Sequence, residues 1–277
     1  METLTANPMF QSGILPFAVS LLAALILRPL GWHWAGLAFA LAFAATLHFV
    51  TGFQLTPLNS TRKIILLAAG AVVVGMLIDA LPKLHRYIAI VIALISASAA
   101  IWLIWPVLKR LEGQEFWIMA GACAAFAAWV TAWSESLRNQ PTRAAVNAMA
   151  LGVGVSISAV LGASALLGQL GGAIAAASGA LILLLMFKQS MSLGSNYCLA
   201  TSLTAILISL SAVTYAGLVW QALIPLAFIP LAARIPVKQT WHDSVKVIVT
   251  TLYTLPFAGI SIYTTWLLTE PAGDSMY

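Results

Sequence analysis

Two ionisable side chains, His48 and Asp79, lie within long apolar segments of this sequence. An ionisable group inside a membrane-spanning segment is costly, so each is a candidate for function. A neutral imidazole both donates and accepts hydrogen bonds, which would let His48 contact a polar substrate or relay a proton. The alternative is a structural histidine that bonds to a neighbouring helix. In either case we expect His48 to point toward the interior of the protein, beside hydroxyl groups of another helix.

Asp79 is the only carboxylate inside a predicted span, near its cytoplasmic end. Lys83 follows four residues later, in the acid-before-base order that favours an ion pair on a helix. This spacing has two interpretations, an ion pair that anchors the helix end or a cytoplasmic gate or coupling-ion site that binds substrate or relays a proton. Glu135 and Arg138 are predicted to be ordinary loop charges.

Motifs of enzyme chemistry are missing from the sequence. It has no nucleophile elbow, P-loop, HExxH motif, CxxC motif or pair of catalytic carboxylates. Cys123 and Cys198 both lie in apolar runs, where a cysteine acts as a small buried hydrophobe, not as part of a disulfide or metal site. We therefore predict that the protein is not an enzyme and uses no cofactor and no metal.

The composition indicates that most of the chain is surrounded by a lipid bilayer. The 277 residues are 61% hydrophobic and 8% charged, with a mean hydropathy of +0.98, whereas soluble domains carry about 25% charged residues. The apolar runs are continuous, which favours helices over a β-barrel. The 13 basic residues are spread thinly with no basic stripe, so nucleic acid is not an expected partner.

The lengths of the apolar runs predict an all-α, polytopic transmembrane bundle of about ten spans, since each span needs about 20 residues. Residues 1–277 form a single transmembrane domain, with halves at 14–133 and 144–268. Turns near Gly162–Gly172 and near Gly217 divide the two longest uncharged runs. The predicted spans are 14–30, 33–53, 64–81, 87–108, 116–133, two within 144–187, two within 197–233, and 247–268.

Basic residues in the short loops predict the orientation, because Lys and Arg collect on the cytoplasmic side. With both termini outside, nine basic residues face the cytoplasm and four face the periplasm. The chain is therefore placed in a bacterial inner membrane with a periplasmic N-terminus and C-terminus. The cytoplasmic set is Arg28, Lys83, Arg86, Arg138, Arg143, Lys188, Arg234, Lys238 and Lys246, and the periplasmic set is Arg62, Lys63, Lys109 and Arg110.

The two halves also match weakly at an offset of 137 residues. Gly31 then aligns with Gly168, and Asn59 with Asn196. Five spans in each half require the second half to be inverted, and inverted repeats are common in secondary transporters. We therefore hypothesise a five-plus-five inverted repeat.

The segment PFAVSLLAALILRPLGWHWAGLAFALAF and the loop PLNSTRKI resemble an uncharacterised bacterial multi-pass inner-membrane protein family, over about the first 80 residues. The ten-span plan is similar in architecture to drug/metabolite-type exporters. That likeness and the possible repeat favour a transporter of a small or amphipathic solute. The alternative is a structural or accessory subunit that binds other membrane subunits, which the low charge and the small-residue helix faces favour. Hydroxyl groups of spans eight and ten either bond within their helices or line a polar cavity between them.

Overall fold

A computed structural model describes residues 7–27, 35–52, 56–81, 87–187, 191–238 and 240–269. Over these residues the chain forms helices and turns and no strand, which confirms the predicted all-α class. Helix α1 opens with a π-helical turn, Phe10–Ile14, and α9 opens with a 3₁₀ turn, Trp220–Ala222. The described helices are α1 Phe10–Leu27, α2 Ala35–Thr51, α3 Ser60–Ala80, α4 Ile88–Leu108, α5 Gly113–Glu135, α6 Pro141–Gly162, α7 Ala165–Met186, α8 Gly194–Ala216, α9 Trp220–Ala233 and α10 Asp243–Leu268.

Eight of these helices are long and apolar enough to cross a membrane. Each has at least 18 residues, which matches the thickness of the hydrocarbon core of a bilayer. The other two, α2 and α9, are apolar but shorter. The count of ten spans therefore stays a prediction.

Helix α8 is the central element of the bundle. Its residues are buried without interruption from Ser195 to Ala212, and it packs against α2, α3, α4, α5, α6 and α7. Five of its hydroxyl groups bond to carbonyl oxygens of their own helix, those of Thr201, Ser202, Thr204, Ser209 and Thr214. Helix α10 packs against α6 and α9 instead of α8. The hydroxyl groups of Thr250, Thr254 and Thr265 on α10 likewise bond to carbonyl oxygens of their own helix.

Small residues bring α6 and α7 close together. A Cβ atom at Gly171 would lie 2.7 Å from the backbone nitrogen of Ser156, and one at Gly152 would lie 2.5 Å from that of Ala175. Ser156 Oγ also donates to Gly168 O at 2.7 Å. Glycine is therefore required for this backbone approach, as is common where membrane helices pack.

Lys63 is part of a helix contact and not an ordinary loop charge. It lies in the first turn of α3, is 8% exposed, and donates from Nζ to Trp102 O on α4 at 2.9 Å. The residue four positions after Trp102 is Pro106, which has no N–H to bond that carbonyl. The ammonium group thus satisfies a carbonyl that the proline leaves free, and it also lies 4.9 Å from the centroid of the Trp102 ring.

Candidate functional site

Three helix ends converge at one end of the bundle and bring together seven polar side chains, of which five are buried. Asp79 lies in the last turn of α3, Glu135 is the last residue of α5, and Ser195 is in the first turn of α8. We call this group the α8 N-terminal cluster. Its members are Asp79, Ser134, Glu135, Arg138, Asn147, Ser195 and Asn196.

Asp79 caps the start of α8 from another helix. Its Oδ1 accepts from the backbone N–H of Ser195 at 2.8 Å, and its Oδ2 accepts from that of Asn196 at 3.0 Å. The first N–H groups of a helix have no partner within the helix, and the helix dipole favours a negative charge there. No side chain at the N-cap residue, Leu193, provides this cap. The carboxylate of Asp79 therefore does so.

Two glycines make room for this cap. Gly75 on α3 faces the start of α8 so closely that a Cβ there would lie 2.3 Å from the Cα of Asn196. Gly194 has a φ of +65°, a left-handed conformation that glycine adopts without strain. A Cβ at Gly194 would also lie 2.6 Å from Oδ2 of Asp79. Both positions thus allow the carboxylate to reach the helix.

Glu135, at the end of α5, contacts Ser195 of α8, whose backbone N–H is bonded to Asp79. It is 3% exposed, and its Oε1 accepts a hydrogen bond from Ser195 Oγ. The guanidinium of Arg138 approaches that oxygen at 3.4 Å. The other oxygen, Oε2, is buried and has no hydrogen-bond partner among the described residues. The prediction that Glu135 is an ordinary loop charge was therefore wrong, because α5 continues past the predicted end of the span.

Asn147 on α6 adds a second buried acceptor to the cluster. It is 2% exposed and donates from Nδ2 to Ser134 Oγ at 3.0 Å. Its Oδ1 has no hydrogen-bond partner within the described part of the chain. Two buried acceptor oxygens, on Glu135 and Asn147, are thus left open in one cluster, although buried polar groups are usually paired.

A cleft of about 330 Å³ opens at this end of the bundle. Arg143, which lies one helical turn before Asn147 on the same face of α6, belongs to its lining. Lys246 and Asp243 of α10 form an ion pair in the cleft wall at 3.0 Å. The cleft thus places solvent one turn above the cluster. Its lining is Asn139, Gln140, Pro141, Thr142, Arg143, Val237, Asp243, Lys246 and Thr250.

The structure places the two sequence-predicted candidates differently. Asp79 belongs to the cluster, while its predicted partner Lys83 lies outside the described residues. His48 is exposed in the last turn of α2 and packs edge-to-face on Phe49, with 5.4 Å between the ring centroids. The expectation that His48 points inward was therefore wrong, because His48 lies on the exposed face of α2. Its role in substrate contact or proton relay stays a prediction.

The sequence contained one signal for the missed residue. Glu135 follows the apolar run of α5 without a break, and Pro141 starts the next helix only six residues later. So short a connection keeps Glu135 on the helix and close to the bundle.

No model of a known protein family matches this chain, and a comparison with curated proteins gives no match either.

Proposed function

We propose that this protein transports a small or amphipathic solute across a bacterial inner membrane and that the α8 N-terminal cluster is its cytoplasmic gate. The observation that carries this proposal is that two carboxylates, the exposed Asp79 and the buried Glu135, reach the same residue of the central helix from two different helices. The Ser195 backbone bonds to one carboxylate and the Ser195 side chain to the other.

Energetic cost supports a functional role for the cluster. Buried ionic groups rarely add net stability, since well-packed apolar side chains of similar volume often serve as well or better. Intramembrane ionisable groups are accordingly retained mainly where a solute or ion passes. Glu135 is 3% exposed and only half satisfied, so its charge has no evident structural benefit.

The directions of the helices support the proposed membrane topology of ten spans. Helices α3 and α5 end at the cluster, whereas α6 and α8 begin beside it. That alternation is expected if each helix crosses the bilayer once. The bias of nine basic residues against four then assigns the cluster to the cytoplasmic side and both termini to the periplasm.

Helix pairing offers partial support for a five-plus-five inverted repeat. The third helices of the two halves, α3 and α8, pack on each other, and α1–α2 and α4–α5 have counterparts in α6–α7 and α9–α10. The long contact between α6 and α10 has no equivalent between α1 and α5 in the described part of the chain. A repeat would therefore have diverged most at its outer helices.

One observation favours the alternative role of a structural or accessory subunit. Gly121, Ala122 and Ala125 form an exposed small-residue face on α5, and a Cβ at Gly121 would meet no atom within 4 Å. Small faces of this kind let another membrane helix approach closely. Under this alternative the face would be covered by a partner subunit.

The test is solute transport by the purified protein in proteoliposomes, recorded as solute-dependent current against a panel of small and amphipathic compounds. We expect a current with the wild type and its loss in Asp79→Asn at equal reconstitution. The control is Glu115→Gln, which also replaces an exposed carboxylate by its amide but lies outside the cluster and the cleft. If no solute gives a current, and a membrane protein copurifies in a fixed ratio and cross-links to α5, the transporter proposal fails. The protein would then be a structural or accessory subunit.

A further inference from the structure

We infer that the carboxyl group of Glu135 binds and releases one proton and is the coupling-ion site of the transporter, while Asp79 caps the start of α8. This inference rests on the proposed function. It assigns the proton to neither of the two residues, His48 and Asp79, that the sequence marks as candidates.

Asp79 is engaged in the cap of α8. Both of its oxygens receive backbone N–H groups, at 2.8 and 3.0 Å. Protonation of either oxygen would turn a charge-assisted bond from an N–H group into a weaker neutral one. The start of a helix also favours a negative charge. Both oxygens of Asp79 thus serve the cap of α8.

The partners of Glu135 tolerate both forms. The Ser195 hydroxyl donates to an ionised carboxylate and, after a rotation, accepts from a protonated one. The second oxygen, Oε2, has no hydrogen-bond partner among the described residues, so a proton there displaces nothing. Arg138 at 3.4 Å is a long contact that a neutral carboxyl can lose without leaving a guanidinium buried, because Arg138 is itself partly exposed.

Among the residues that the structure describes, the charges around Glu135 nearly balance in both states. The groups that face it are Asp79 from α3, Arg138 at the end of α5, and Ser195 and Cys198 from α8, with Asn147 of α6 bonded next to it. With Glu135 ionised, the two carboxylates exceed the one guanidinium by one charge, and the start of α8 offsets about half of it. With Glu135 protonated, the carboxylate of Asp79 matches the guanidinium. Neither form carries a large uncompensated charge.

A proton fits this site better than a metal cation does. A Ca²⁺ ion needs about six to eight oxygen ligands and Mg²⁺ a near-octahedral set. Here each oxygen of Asp79 already accepts an N–H group, and Oε2 of Glu135 is a carboxylate oxygen without a hydrogen-bond partner among the described residues. One open carboxylate oxygen is what a proton requires.

Protonation would act on α8 through Ser195. The step is an addition of H⁺ from the cytoplasmic solution to the Glu135 carboxylate, with no other bond broken or formed in the chain. It replaces a charge-assisted hydrogen bond by a neutral one of about half the strength. The first turn of α8 is then held strongly by Asp79 alone and can move away from α5. The cleft beside Arg143 provides the route for the proton to a point one helical turn above Asn147.

Infrared difference spectroscopy of the purified protein, titrated from acidic to alkaline buffer, tests the proton site without any solute. We expect a carbonyl stretch of a protonated carboxyl that disappears with rising pH in the wild type. The band should be lost in Glu135→Gln and retained in Glu115→Gln, which makes the same change at an exposed position of the same helix. Asp79→Asn should also retain the band.

Each outcome decides one part of the inference. A band that persists in Glu135→Gln, or that is lost in Asp79→Asn with the fold intact, would overturn the assignment. Loss of the band on replacing choline by sodium at constant pH would overturn it in favour of a metal cation. If the band behaves as expected but no solute moves, the proposed function fails while the proton site stands. If solute moves equally with and without a pH gradient, transport stands and proton coupling fails.

Discussion

The backbone N–H of Ser195 donates to Oδ1 of Asp79 at 2.8 Å across a sequence separation of 116 residues. This bond ties the end of α3 to the start of the central helix, and Asn196 adds a second bond to the same carboxylate. The contact differs from the local ion pair with Lys83 that the sequence predicts, because it secures one helix to another.

Removal of the Asp79 charge should therefore destabilise the bundle more than loss of a surface pair would. Hydrogen bonds to charged groups contribute about 1.5–3 kcal/mol each, whereas an exposed ion pair contributes about 0–1 kcal/mol. Because Asp79 is exposed to solvent, we expect Asp79→Ala to lower the free energy of unfolding by roughly 1–2 kcal/mol, the upper range for loss of a helix cap, as measured by denaturant titration in detergent. Asp243→Ala is the control and should cost less than about 1 kcal/mol. Equal effects of the two substitutions would contradict the capping role.

Gly194 should be far less tolerant of alanine than Gly217. Both have a left-handed backbone, with φ of +65° and +80°, so both alanines carry the same strain of about 1–2 kcal/mol. Only at Gly194 would the new Cβ also meet a neighbour, Oδ2 of Asp79 at 2.6 Å, while Gly217 has open space. The melting temperature in detergent should accordingly fall further for Gly194→Ala. A larger fall for Gly217→Ala would mean that Asp79 does not lie against the start of α8.

Lys63 and Pro106 should be energetically coupled. In the otherwise wild-type protein, Lys63→Met removes the hydrogen-bond partner of the Trp102 carbonyl. The expected cost is about 1–3 kcal/mol of unfolding free energy. In a Pro106→Ala background the new N–H can bond that carbonyl within α4, so the same change should cost less than about 1 kcal/mol. A double-mutant cycle on unfolding free energies measures the difference. Additive costs would show that Lys63 does not satisfy the carbonyl.

The helical fold follows from the sequence more directly than the site does. Long uncharged runs predict helices from local composition alone, and turns at Ala163 and Gly217 fall where small or flexible residues interrupt them. The cluster depends on contacts between residues far apart, such as Ser195 with Glu135, and hydropathy carries no information about which helix ends meet. His48 was misplaced for a related reason, because α2 has apolar residues on all sides and no polar stripe to indicate its buried face.

The proposed topology predicts that both termini face the periplasm. Alkaline phosphatase fused after Tyr277 should be active in intact cells, and a reporter that works only in the cytoplasm should be silent at the same position. The prediction follows from the bias of basic residues and from an even number of spans. A C-terminus in the cytoplasm would require an odd number of spans or the opposite orientation, and the α8 N-terminal cluster could no longer be assigned to the cytoplasmic end.

The central claim is that the start of α8 moves away from α5 when the charge of Glu135 is removed. Spin labels at Ser136→Cys and Ser192→Cys, both exposed positions beside the cluster, report this separation in a background with Cys123→Ala and Cys198→Ala. Pulsed electron paramagnetic resonance should give two distances in the wild type, with the longer one gaining population as the pH falls. In Glu135→Gln the longer distance should dominate at every pH. A single distance that neither pH nor Glu135→Gln changes would contradict the gate.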